Sequence, residues 1–215
     1  MTPRSPESGF TDTSATQTRP MTEEDREAAL DLLESGLQEV PMYRWLLGED
    51  APSDAYRWYG ELLFAENLAG LKGTFDAAGD LIALVAFSEP GRRSAPVSEE
   101  LKAQNNHWVR ALPGFPQRLT ELRTKAADAS VADEPLSIMF ALVRPDHRRN
   151  GTLTALVDPI VRDGLRRGWV VVTTTADPVM SDYYARRWNA PVRARYTLTD
   201  GPSLFVHRAD PPGTD

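Results

Sequence analysis

The sequence contains no cysteine, which excludes disulfides and thiolate metal centres. Histidine is scarce, and His107, His147 and His207 are scattered without ligand spacing, so no metal site is expected. No apolar run approaches the roughly 18 to 20 residues that cross a bilayer, and no apolar signal segment follows Met1. The most apolar stretches, residues 81–87 and 138–143, have the length of strands. A cytoplasmic setting without a membrane partner is therefore expected. Positive charge is in deficit: the net charge is −7 and the isoelectric point is about 5.1. Such a chain is a poor nonspecific nucleic-acid binder, and its field favours the approach of a cationic small molecule.

What is present suits a globular enzyme or binding domain, with 41% hydrophobic and 26% charged residues in a chain of 215. Residues 1–18 are rich in Ser, Thr and Pro without periodicity and are predicted to be mostly disordered, with a short edge strand near residues 14–19. A single domain is expected over residues 19–210, and a flexible tail over 211–215. Thr22 followed by Glu23, Glu24 and Asp25 reads as a helix start, and Ala28, Leu30, Leu32, Leu33 and Leu37 supply its apolar face up to Pro41. A second helix begins at Ser53, carries Tyr56, Trp58, Tyr59, Leu62, Leu63 and Phe64, and closes at Gly70. Residues 71–75 and 80–88 form a hairpin, and two helices follow over 98–111 and 116–127, separated by Pro113 and Gly114.

The last third has a different pattern. Residues 136–143 read as a strand buried on both faces, 151–167 as a helix ending at Gly168, and 169–174 as another strand. Strand, helix and strand at this spacing imply a parallel crossover. Residues 182–188 read as helical, and 192–198 and 204–207 as a closing pair of strands. Between the first strand and its helix lies a basic loop, Pro145 to Asn150, with Arg148 and Arg149, and Gly151 opens the helix. The first N–H groups of a helix lack internal partners and carry partial positive charge. With two arginines beside them and a glycine that lets the backbone approach, they make a seat for a pyrophosphate. The competing explanation, a solvated loop with a glycine turn, is outweighed by its place directly between an apolar strand and a helix.

The string Val143-x-Pro145 followed by Arg148-x-x-Gly151 resembles the signature of the GNAT superfamily of N-acyltransferases, which use acetyl-CoA or another acyl-CoA. The turn Arg144-Pro145-Asp146-His147 and Pro159, eight residues after the loop glycine, are most similar to the puromycin N-acetyltransferases and their actinobacterial relatives. The resemblance implies an α/β fold with a mixed, mostly antiparallel central sheet of six to seven strands flanked by helices. It implies that the backbone of Ala141, Leu142 and Val143 pairs with the pantetheine arm. Arg148, Arg149, Asn150, Gly151, Thr152, Leu153 and Thr154 would wrap the pyrophosphate. It also implies transfer of an acyl group from acetyl-CoA to the amine of a small molecule, such as an antibiotic or natural product. A tyrosine would protonate the departing thiolate: Tyr183 by ungapped register, Tyr184 if the register slips by one.

The chain departs from the family pattern at two places. Leu153 replaces a small residue of the loop and is predicted to crowd the pyrophosphate; Arg187-Trp188 replaces a Gly-Phe pair. These departures support an alternative, a GNAT-like protein that binds a CoA-like ligand or a protein partner without acyl transfer. For the acceptor, residues 41–45 and His107-Trp108 are candidate pocket walls, although aromatics at such spacing are more often core. Glu134 reads as a surface acid and not as a base. The oligomeric state is left open.

Overall fold

Residues 16–92, 96 and 98–213 are described by a computed structural model. Residues 1–15 and 214–215, within the tails expected at 1–18 and 211–215, and residues 93–95 and 97 lie outside the described residues. A short edge strand, β1 (Gln17–Pro20), forms where one was expected near residues 14–19. β1 pairs antiparallel with β2 (Leu71–Phe75), which pairs antiparallel with β3 (Leu81–Ser88). The Asp76 carboxylate closes that hairpin turn by accepting from the Ala78 and Asp80 N–H groups, each at 2.9 Å.

The first helical segment starts where the sequence indicates. The Thr22 N–H donates to the Asp25 carboxylate at 2.9 Å, a single 3-10 turn follows (Glu23–Asp25), and α1 runs from Arg26 to Glu39. Ala29, Leu30, Leu32, Leu33, Gly36 and Leu37 are buried on α1, whereas Ala28 is exposed. The 100° step of the helix carries Ala28 off the inner stripe. Pro41 does not simply end this segment. It sits in the first turn of a further helix, α2 (Pro41–Leu47), a position that needs no N–H from it. Then come α3 (Ser53–Asn67), α4 (Glu99–Ala111) and α5 (Phe115–Asp128). Ser98 caps α4 by accepting from the Leu101 N–H at 3.2 Å.

The crossover forms as the spacing predicts. β4 (Leu136–Val143) leads to α6 (Thr152–Arg166), which runs through Pro159, and β5 (Val171–Thr175) lies parallel to β4. α7 (Pro178–Arg187), β6 (Val192–Thr197) and β7 (Ser203–Ala209) complete the chain. The seven strands take the order β1-β2-β3-β4-β5-β7-β6, and every pair except β4–β5 is antiparallel. The sheet has one apolar cluster where α1 to α5 cover it and a second around α6. Among the described residues no helix is long and apolar enough to cross a membrane.

β4 is not buried on both faces. Its residues alternate, and Met139 is 51% exposed. The cause is a bulge. Ala86 of β3 pairs with Phe140 while Phe87 pairs with Ile138, so Met139 has no partner across the ladder. Before the bulge, Leu136 and Ile138 join the cluster around α6; after it, Phe140 and Leu142 join the cluster under α1 to α5. An apolar string alone does not reveal this switch of face.

Candidate active site

β4 and β5 pair over three positions only: Leu136 with Val171, Ser137 with Val172, and Ile138 with Thr173. At the last of these the Thr173 hydroxyl reaches the Ile138 carbonyl at 3.4 Å. Beyond the bulge the two strands part, and residues 140–143 keep β3 alone as a strand neighbour. A parallel sheet split in this way leaves peptide groups unpaired along one edge, and such an edge needs a partner.

Hydrogen bonding identifies which peptides face the gap. The Arg144 N–H donates to the Ile82 carbonyl at 2.9 Å, and Leu84 lies opposite Leu142 in the same register. In an antiparallel ladder the N–H and C=O of one residue point the same way, and successive residues alternate. Leu142 and Arg144 therefore turn towards β3, and Ala141 and Val143 turn towards the gap. The Val143 carbonyl accepts from Arg148 Nε at 2.8 Å, as that direction requires. Of the three residues expected to offer backbone to a ligand, Leu142 thus does not: its peptide belongs to β3 and its side chain to the core.

At the mouth of the gap the loop folds into a 3-10 turn (Pro145–His147), and α6 begins. Arg149 and Gly151 both take positive φ, 64° and 88°. At Gly151 a side chain would be strained, yet an added Cβ would meet nothing within 4 Å, so open space lies over the helix start. The Asn150 side chain accepts from the Thr152 hydroxyl at 2.6 Å and from its N–H at 3.2 Å. The N–H groups of Leu153 and Thr154 open the helix without an intrahelical acceptor. The Leu153 side chain, half-buried, packs against the cluster around α6. The space, the dipole and the basic residues together fit a pyrophosphate.

The three loop arginines differ. Arg144 pairs with Asp146 at 2.7 Å. Arg148 makes a two-pronged pair with Glu39, the last residue of α1, at 2.6 and 3.0 Å. That contact holds the Glu39 carboxyl below its ordinary range, with burial opposing. Arg149 is exposed and makes no ion pair among the described residues. Nothing in the sequence marked Glu39 as a partner, since it lies 109 positions from Arg148.

The two tyrosines of α7 have different surroundings. The Tyr183 hydroxyl hydrogen-bonds the Thr154 hydroxyl, at 2.5 Å, on the first turn of α6. Tyr184 turns inwards, stacked on Trp188 with centroids 4.6 Å apart and edge-on to His207 at 5.6 Å. Burial pushes the Tyr184 phenol up to about 12, with the neighbouring Tyr183 and Asp177 adding to the shift. His207 is fully buried: its Nδ1 donates to the Ala190 carbonyl at 2.7 Å, since a carbonyl only accepts, and its Nε2 hydrogen-bonds the Ser181 hydroxyl at 2.9 Å.

A third feature was not read from the sequence. Asp158 on α6 is 6% exposed. Trp188 Nε1 donates to it at 2.8 Å and Arg187 forms an ion pair with it. Burial disfavours the charged carboxylate, but the Arg187 and Trp188 hydrogen bonds and the arginine charge outweigh it and lower its pKa. The available signal was an acid on the apolar face of α6, between Val157 and Ile160. The acceptor candidates fall mainly in structural roles. Tyr43 is core, Trp108 stacks on Trp58 at 6.0 Å, and Trp45 Nε1 donates to the Thr199 carbonyl at 2.8 Å. Glu134 is exposed, at φ 46°.

No family model and no curated protein matches the sequence. Solved structures do. The arylalkylamine N-acetyltransferase 2 of Aedes aegypti superposes with a TM-score of 0.66 at 12% identity, covering 91% of this chain and 98% of the other. The histone acetyltransferase HPA2 and related acetyltransferase of Corynebacterium glutamicum gives 0.62 at 13%, covering 93% and 98%. The polyamine N-acetyltransferase of Drosophila melanogaster, which forms N-acetylagmatine, gives 0.61 at 14%, covering 91% and 100%. At these identities the likeness is one of architecture, and this chain has the GNAT N-acetyltransferase fold.

Proposed function

We propose that the protein is an acyl-CoA-dependent N-acyltransferase that moves the acyl group of acetyl-CoA to the amine of a small molecule. One observation carries this reading. The gap between β4 and β5 opens onto the free start of α6, and a tyrosine hydroxyl sits on that same helical turn. Ala141 and Val143 would hold the pantetheine arm through their peptides. Arg148, Arg149, Asn150, Gly151, Thr152, Leu153 and Thr154 would hold the pyrophosphate, Leu153 through its backbone alone. Bound acetyl-CoA supplies an activated thioester. An N–H of β4 facing the gap, such as that of Ala141, stabilises the oxygen that gains charge as a neutral amine attacks. As the C–N bond forms and the C–S bond breaks, Tyr183 gives its proton to the sulfur that leaves, and the proton shed by the amine nitrogen on becoming an amide restores the tyrosine. Tyr184 is a poor substitute, because its ring is committed to Trp188 and His207.

The small-amine acceptor is supported by two of the three structural neighbours, an arylalkylamine and a polyamine N-acetyltransferase, and by the net charge of −7. An antibiotic or natural-product amine follows from the likeness to puromycin N-acetyltransferases, and a cytoplasmic setting supplies acyl-CoA. The noncatalytic alternative drew on Leu153 and on Arg187-Trp188, and the packing of the Leu153 side chain against the cluster around α6 favours the catalytic reading. Calorimetry with acetyl-CoA, followed by thiol release with a panel of amines, tests the proposal. Saturable heat below millimolar ligand and amine-dependent thiol release are expected. In that assay Tyr183→Phe should lower kcat about 100-fold and leave acetyl-CoA affinity within about threefold, with Tyr184→Phe affecting stability more than turnover. No heat at millimolar ligand would reject the proposal, and equal losses of kcat would reject the choice of tyrosine.

A further inference from the structure

α6 and α7 touch along one face in two rungs. Thr154 of α6 meets Tyr183 of α7, and one turn further on Asp158 meets Arg187, again four residues after its predecessor. Residues four apart share a helix face, so the two contacts fix both the rotation and the axial position of α7 against α6. The second rung is held more firmly than its neighbours. Asp158 is buried, and a buried carboxylate is tolerated only when paired. Its two oxygens are taken by Arg187 and by Trp188 Nε1, donors from consecutive residues at the end of α7. Trp188 passes this constraint on. Its ring lies face to face with Tyr184 and edge-on to Tyr183, with centroids 5.8 Å apart in the second case.

We infer that Asp158 is a positioning residue, which sets α7 through Arg187 and Trp188 so that the Tyr183 hydroxyl stands over the first turn of α6. The Arg187-Trp188 pair, which departs from the family pattern, then belongs with Asp158 as one unit. Arg187 and Trp188 supply the donors, and α6 supplies the acid. Asp158 itself touches no reacting atom. The inference rests on the acyl-transfer reading and on Tyr183 as the proton donor.

A double-mutant cycle on turnover tests it, with Asp158→Ala, Tyr183→Phe and the combined variant assayed for thiol release. Asp158→Ala is expected to lower kcat about 10- to 100-fold, the scale of a displaced catalytic group, while KM for acetyl-CoA stays within about threefold. The combined variant should be hardly slower than Tyr183→Phe alone, because both changes act through one hydroxyl. If Asp158→Ala does not fold, Asp158→Asn keeps an acceptor for Trp188 while removing the charge opposite Arg187, and the same coupling is expected at smaller amplitude. Additive losses in the cycle, an unchanged kcat, or a change confined to KM would overturn the inference. Failure of the underlying reading looks different: the unaltered protein would release no thiol, or Tyr183→Phe would leave its turnover intact.

Discussion

At the scale of single residues, the loop arginines show how a charge visible in sequence acquires a partner that is not. Arg148 is bound to Glu39 in a pair that leaves both side chains 40% or more exposed. Pairs of that kind contribute about 0–1 kcal/mol, so a bound pyrophosphate can displace the carboxylate. Glu39→Gln should therefore tighten acetyl-CoA binding by about two- to fivefold, read by calorimetry. Weaker binding would mean that Glu39 instead orients Arg148 for the ligand. The tyrosine pair shows the same limit of legibility. Tyr183 and Tyr184 are adjacent and equivalent in composition, and only the neighbours brought by α6, β7 and Trp188 distinguish a hydroxyl on the helix start from a ring in the core. Leu153 is a further case: its bulk was legible, and its direction was not.

Among the elements, strands and helices were legible where one period dominated. The β2–β3 hairpin, the crossover through α6 and the closing β6–β7 pair follow from alternation, turn residues and helix spacing. What escaped were features created by contact between elements. The bulge at Met139 arises from pairing with β3, and α2 was hidden because a proline at the first helical turn looks like a breaker. The docking of α5 and α2 on the β6–β7 turn is another. Glu121 accepts from the Thr199 N–H at 2.7 Å, and Lys125 donates to the Thr197 carbonyl at 2.5 Å. Trp45 seals the turn over Gly201, where a Cβ would come within 2.4 Å of the indole. Gly201→Ala should therefore destabilise the protein by about 1–3 kcal/mol through overpacking, lowering Tm by several degrees in a thermal melt. An unchanged Tm would show that the indole can move aside.

For the whole molecule, the acidic balance tolerates low pH only as far as its paired carboxylates allow. Arg19 on β1 grips Asp25 at the start of α1 through two contacts of 2.7 Å, and this hydrogen bonding, opposed by burial, holds the Asp25 carboxyl at about 2. An unfolded aspartate titrates near 3.9. The folded value is the lower one, so the stabilisation is complete above about pH 4 and is lost as pH falls through about 2. Asp25→Asn should cost about 1 kcal/mol in urea unfolding at pH 5, and the difference from the unaltered protein should vanish near pH 2. A difference independent of pH would assign the effect to packing. By itself the sequence determined the order of elements, the parallel crossover and the basic loop at a helix start, because each depends on periodicity or on residues close together in the chain. Tertiary structure alone decided where β4 and β5 part, which peptides face the gap, which tyrosine meets α6, and that Asp158 ties α6 to α7. These depend on pairing and packing between residues 29 or more positions apart, and hydrophobic periodicity carries no record of which distant partner each residue meets.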